Sequence, residues 1–145
     1  MPSMIPDIHA AIVCDDIRQE RNGKFILIGL FDRMVLPRFP IRYPRFCILT
    51  RWGCGEGNFV QSTRLLDPDE NVVASGKEIP VRLADPDKSA SNVEIFMNVP
   101  LKTPGTYSVE IRLDDDLKLR FPLVVQQQQV PPGMPENLPP PPFPE

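Results

Sequence analysis

The chain has 145 residues, with 16 Lys plus Arg, 19 Asp plus Glu, a single His, a formal net charge of −3 and 41% hydrophobic residues. That length suits one domain, and the apolar content supports a real core, which excludes wholesale disorder. The weakly acidic balance excludes a nucleic-acid binder that relies on bulk charge, and no apolar run approaches the ~20 residues of a membrane span.

Met1 to Pro6 has neither the basic start nor the apolar stretch of an export signal. The cysteines Cys14, Cys47 and Cys54 are odd in number, so they fit a reducing, cytoplasmic setting better than a disulfide framework. Segment 8–20 reads two ways. Ala10, Val13, Cys14 and Ile17 keep the spacing of a helix face, with Asp7 as a cap and Asn22-Gly23 as a stop. Asn-Gly is also a favoured two-residue hairpin turn, and the β-rich Phe25 to Phe31 follows it, so the hairpin is preferred. Such a turn pairs Arg21 with Lys24 and sets Ile17 opposite Ile28 and Val13 opposite Asp32.

Further along, turn residues punctuate short apolar or alternating segments at 24–36, 45–52, 59–66, 71–83, 92–99, 106–113 and 117–125. In the sixth, Tyr107, Val109, Ile111 and Leu113 alternate with Ser108, Glu110 and Arg112, the period of a half-buried strand. The pattern predicts an all-β, antiparallel sandwich of seven to nine strands. Its expected core is Ile28, Leu30, Ile48, Leu65, Val81, Ile95, Met97, Tyr107, Val109, Ile111, Leu119 and Val124. From Gln126 the composition changes to glutamine and proline, with 8 of the 19 prolines in the last 15 positions. Proline lacks an amide donor and fixes φ, so residues 126–145 are expected as a disordered, proline-rich tail and 1–125 as the folded domain.

The stretch Cys14-Asp15-Asp16-Ile17-Arg18, then Glu20, Asn22-Gly23-Lys24 and Ile28-Gly29-Leu30-Phe31-Asp32 resembles the opening of a family of small uncharacterised bacterial proteins, a domain of unknown function. The resemblance implies an immunoglobulin-like β-sandwich and a bacterial cytoplasmic setting. Gly105-Thr106-Tyr107 before an alternating strand is similar to the late hairpin of such domains. No catalytic or ligand residue follows from the resemblance.

The residues themselves point away from catalysis. His9 is the only histidine, and five residues along one strand separate it from Cys14 onto opposite faces. Zinc needs four converging ligands, and no Cys-x-x-Cys pair exists among His9, Cys14, Cys47 and Cys54. Gly53-Cys54-Gly55-Glu56-Gly57 resembles a phosphate loop in composition only, because a strand-like segment follows and no Lys-Ser/Thr pair is present. No catalytic residue, metal ligand or cofactor is therefore assigned. If the strands simply alternate, Glu20, Glu56, Asp85, Asp87 and Asp114 to Asp116 share one end, whose carboxylates suit Ca²⁺. The opposite end carries Arg38, Phe39, Arg42, Tyr43 and Arg45 in a connector stiffened by Pro37, Pro40 and Pro44. Arginine and aromatic residues are the types enriched at interface hot spots. The expectation is a non-enzymatic protein-interaction or structural module with that segment as its partner surface. The partner is another protein, with no nucleic acid or membrane, and a homo-oligomer is compatible with it. The alternative is a small-ligand or calcium-binding sandwich that uses the acidic end.

Overall fold

Period-two alternation between closely spaced turns yields strands and no helix among residues 3–129, the part of the chain that the computed structural model describes. The expected proline-rich tail lies almost wholly outside the described residues. In chain order the strands are β1 (Asp7–Gln19), β2 (Phe25–Leu30), β3 (Arg33–Leu36), β4 (Ile41–Gly53), β5 (Gly57–Leu66), β6 (Val72–Ser75), β7 (Ile79–Leu83), β8 (Ser89–Leu101), β9 (Gly105–Leu113) and β10 (Asp116–Gln127). Ten strands replace the expected seven to nine because two segments are broken. Phe31-Asp32 divides 24–36 into β2 and β3, which join different sheets, and Gly76-Lys77-Glu78 separates β6 from β7.

Sheet I has the order β2-β1-β4-β8. Sheet II has the order β3-β10-β9-β5-β6, with β7 also paired to β5. The pairings are antiparallel except β3 with β10, which is parallel and corrects the wholly antiparallel expectation. Segment 8–20 is strand, but the hairpin after it is not the two-residue type. Gly23 N donates to Glu20 O and Gly23 sits at φ +89°, so the loop is 21–23, a turn closed by a left-handed glycine. The added loop residue shifts the register by one, setting Ile17 opposite Leu27 and Asp16 opposite Ile28. A shift of one exchanges faces. Ile28 now lies beside Asp16 and Leu30 beside Cys14, and both are exposed rather than in the core.

The core forms between the sheets. Val13, Phe46, Ile48, Trp52, Phe96 and Val99 come from sheet I, and Leu65, Val81, Tyr107, Val109, Ile111 and Leu123 from sheet II. Of the expected core, Ile48, Leu65, Val81, Tyr107, Val109 and Ile111 are buried, while Leu119 and Val124 are half-buried. Ile95 and Met97 are exposed by 54% and 65%, because β8 turns Glu94 and Phe96 inward instead. Phe96 stacks on Phe46 with ring centroids 5.2 Å apart.

Glu94 can lie inside because a polar network meets it. Gln61 Nε2 of β5 donates to Glu94 Oε1 (3.0 Å), Thr63 Oγ1 (3.1 Å) and Thr50 Oγ1 (3.3 Å). Gln61 Oε1 accepts from Trp52 Nε1 (2.8 Å) and Asn92 Nδ2 (2.9 Å). These bonds tie one sheet to the other with buried polar groups that are costly to leave unpaired. Glu94 Oε2 is the exception, buried without a partner. Burial pushes the Glu94 carboxyl up, against the hydrogen bonds of Thr63 and Gln61.

β4 and β8 reverse their facing together. Phe46 and Phe96 point inward as opposite partners, and so do Tyr43 with Val99, an odd step of three away. The reversal falls at Pro44 on β4 and at Asn98, φ +53°, on β8. One end of sheet I therefore turns a different set of residues outward from the set that simple alternation would choose.

Candidate interaction surface

Segment 36–46 is not the connector that its prolines suggested. Only residues 37–40 connect, and β4 begins at Ile41 and runs through Pro44. Proline is tolerated there because β1 pairs with β4 only as far as Cys14 opposite Cys47, so position 44 has no β1 partner for an amide to serve. The five residues expected to act together part company. Phe39 and Tyr43 are half-buried and pack against the core end, Tyr43 edge-on to Phe46 at 6.0 Å. Burial, with a smaller contribution from the Asp15 charge, pushes the Tyr43 hydroxyl up. Arg38 and Arg42 are exposed, and Arg42 Nη1 donates to Asn98 O (3.2 Å). Arg45 Nη1 donates to Asp16 Oδ1 (3.0 Å) and Asp15 O (3.2 Å), spanning the gap where β1 diverges from β4. The hydrogen bond from Arg45, with further ones from Arg18 and the Ile17 amide, holds the Asp16 carboxyl below the ordinary carboxylate range.

The surface gains a component that sequence reading placed in the core. Leu30, Cys14, Cys47 and Ile95 are successive cross-strand partners, so they form one row across the outer face of sheet I. Met97 is opposite Arg45, and Arg42 is opposite Pro100 on the same outward side. Cys14 and Cys47 are fully covered, whereas Leu30, Ile95 and Met97 rise into solvent from the outermost strands β2 and β8. Burial, then the neighbouring Cys47 and Asp15, pushes the Cys14 thiol up to about 11, and burial likewise raises Cys47. Phe25 and Leu27 share a cleft of about 690 Å³ with Ala10, Ile12, Leu49 and Arg51. The most exposed apolar side chains of sheet I are Met97 and Ile95 on β8, next to Arg45, and Leu30 on β2.

The acidic residues are used differently from the calcium expectation. Asp85 Oδ1 accepts from Asp87 N, and Asp114 Oδ1 accepts from Val60 N, each fixing a turn. Among the described residues no three His, Cys, Asp or Glu side chains converge as a metal site needs. His9 does not approach Cys14. It lies instead 3.5 Å from the sulfur of Cys54, a pairing that a separation of 45 positions conceals from sequence. The Gly-Cys-Gly run was its only visible signal.

No curated protein matches the chain. Among solved structures it is similar to the Pseudomonas fluorescens alkylpurine DNA glycosylase AlkC, bound to DNA containing an abasic site analogue. The TM-score is 0.50, with 8% identity over 83% of this chain. It is also similar to a β-glucosidase from Listeria innocua in complex with isofagomine, with TM-score 0.45 and 10% identity over 86% of this chain. The chain spans only 30% and 17% of those two proteins, and likeness at such identity speaks to fold alone. The model of a family of unknown function, DUF6941, matches residues 9–126, and the chain belongs to that family.

Proposed function

We propose that the protein is a non-enzymatic binding module of immunoglobulin-like architecture. It holds an acidic segment of another protein against the outer face of sheet I, at the end where Arg38 and Arg42 stand. The immunoglobulin-like reading is supported by the last strand pairing in parallel with an early one, β3. It is supported also by Tyr107, near the start of β9, whose hydroxyl donates to Thr103 O (2.8 Å) four residues upstream.

The observation that carries the binding reading is the pair Ile95 and Met97, uncovered on the outer face of β8 beside the Arg45–Asp16 pair, with Arg42 exposed farther along that face and Leu30 uncovered at the opposite edge of the sheet. Exposed apolar groups with a polar rim mark interaction sites. Arginine favours carboxylates because its planar fork pairs with both oxygens, so the rim selects an acidic partner. Phe39 and Tyr43 support the surface from beneath instead of contacting the partner, since both pack on the core. The test is affinity capture with three proteins: wild type, Ile95→Ser/Met97→Ser and Arg38→Ala/Arg42→Ala. A partner held by wild type and lost or weakened with both variants supports the surface. Retention of every captured protein at unchanged affinity removes it, and capture of the chain's own second copy replaces an acidic partner with self-association.

A further inference from the structure

We infer that Cys54 and His9 form a thiol-exchange site that reacts with small, solvent-borne disulfides. The site lies away from the proposed partner surface and rests on different observations. Three local features bring the two side chains together. The β1–β4 register slips between Ile8 and Ala10, so His9 is the extra residue of a bulge, a device that re-aims a side chain. Gly53 leaves room for the ring, because a Cβ there would strike His9 Cε1 and Nδ1. Cys54 itself sits at φ +58°, a conformation that non-glycine residues adopt rarely and at a cost. Gly55 then packs directly on Pro6, and Met4 and Glu56 exchange backbone hydrogen bonds of 2.8 and 2.9 Å, closing the turn. The outcome is a sulfur 3.5 Å from His9 Nε2, with both residues exposed.

An exposed thiol beside an imidazole has what exchange requires, namely access and a base for its proton. The other two thiols lack both: Cys14 and Cys47 are fully buried and neither has a histidine neighbour. In the exchange, the Cys54 proton passes to His9 Nε2 and the thiolate attacks one sulfur of a small disulfide. The disulfide S–S bond breaks, a Cys54–S–S–R bond forms, and the departing thiolate takes the proton back from the imidazolium. The disulfide is the only oxidant needed. The charged side chains on the surrounding elements are Asp7 on β1, Arg51 on β4 and Glu56 in the turn. Arg51 Nε is engaged with Ser91 Oγ (2.9 Å).

The experiment treats the full chain with oxidised glutathione and follows intact mass and peptide maps. One adduct per chain is expected, at Cys54, and none in Cys54→Ser. An ordinary exposed thiol is only a few per cent thiolate at neutral pH, so His9→Gln should slow the reaction about tenfold at pH 7. His9→Asn, which likewise lacks the base, should slow it to a similar extent. Modification of Cys14 or Cys47 ahead of Cys54 overturns the assignment, as does an equal rate for wild type and His9→Gln between about pH 6 and 8. Should His9→Gln not fold, His9→Asn takes its place, and a rate equal to wild type overturns the proposal.

Discussion

On the outer face of sheet II, Glu110 is buried among three arginines: Arg64 at 2.6 Å, Arg120 at 3.3 Å and Arg112 at 3.5 Å. Arg120 in turn holds Glu70 at 2.6 Å. On the outer face of sheet I, Ile95, Met97 and Leu30 stand in solvent, and Arg42 has no carboxylate partner among the described residues. Both faces alternate with a shared core, so the interior imposes the same constraint on each. The difference lies in whether a face satisfies itself. Charges already paired within the chain gain little from a second molecule, because pairing elsewhere must first undo those bonds. Uncovered apolar groups on a face that also carries an arginine without a carboxylate gain from any partner that excludes water and brings one.

That contrast is sharpest in stability. Glu110→Ala removes the one acceptor shared by three guanidinium groups, and a loss of about 2 kcal/mol is expected from denaturant unfolding. The pH dependence separates Glu110 from Glu94. Burial alone pushes the Glu110 carboxyl up, but the hydrogen bond and charge of Arg64, with the charges of Arg112 and Arg120, outweigh it, and the net direction is down. Its stabilisation is therefore complete above the ordinary glutamate range and is lost as pH falls through the lowered value. Glu94 is raised, so its folded form holds a proton that the unfolded chain has released. Its contribution weakens as pH climbs from the ordinary range through the raised value. Thermal melts across pH should show Glu110→Gln flattening the acid limb and Glu94→Gln flattening the decline above it. The same limb flattened by both variants would contradict the assignment.

Smaller effects are expected on the open face. Ile95→Ser/Met97→Ser should stay within about 0.5 kcal/mol of wild type for each site, since both side chains are already more than half in water. A loss of several kcal/mol would mean that this face is covered within the molecule. Arg38→Ala/Arg42→Ala should move stability least, by a few tenths of a kcal/mol. Its effect belongs in association, slowing capture of an acidic partner several-fold at low salt and less at high salt. Stopped-flow association at two ionic strengths measures this directly.

Much of the architecture was readable in the chain. Tyr107, Val109 and Ile111 alternate with polar neighbours, and the backbone period of two has no other way to bury them. Asn22-Gly23 marked the first hairpin correctly, but whether its loop held two residues or three depended on where Gly23 became left-handed. That single residue decided which face Ile28 and Leu30 took. The misplacement of Ile95 and Met97 has another cause. Hydropathy favours them over Glu94, yet the alternation that buries Phe96 against Phe46 also turns Glu94 inward, where Gln61, 33 positions away, meets it. Pro44 read as a strand breaker because the divergence of β1 from β4, which makes it harmless, is a property of the sheet.

Composition and periodicity by themselves determined that this chain forms a strand-built domain with a core of aliphatic and aromatic residues, and located most of its turns. Those are local quantities, governed by backbone geometry and by the next few side chains. Tertiary structure alone decided which apolar residues stay outside, which arginines remain free, and that His9 meets Cys54. Each of those depends on a neighbour brought from a distant strand, and the register between two strands is settled only when both faces of both sheets are packed at once.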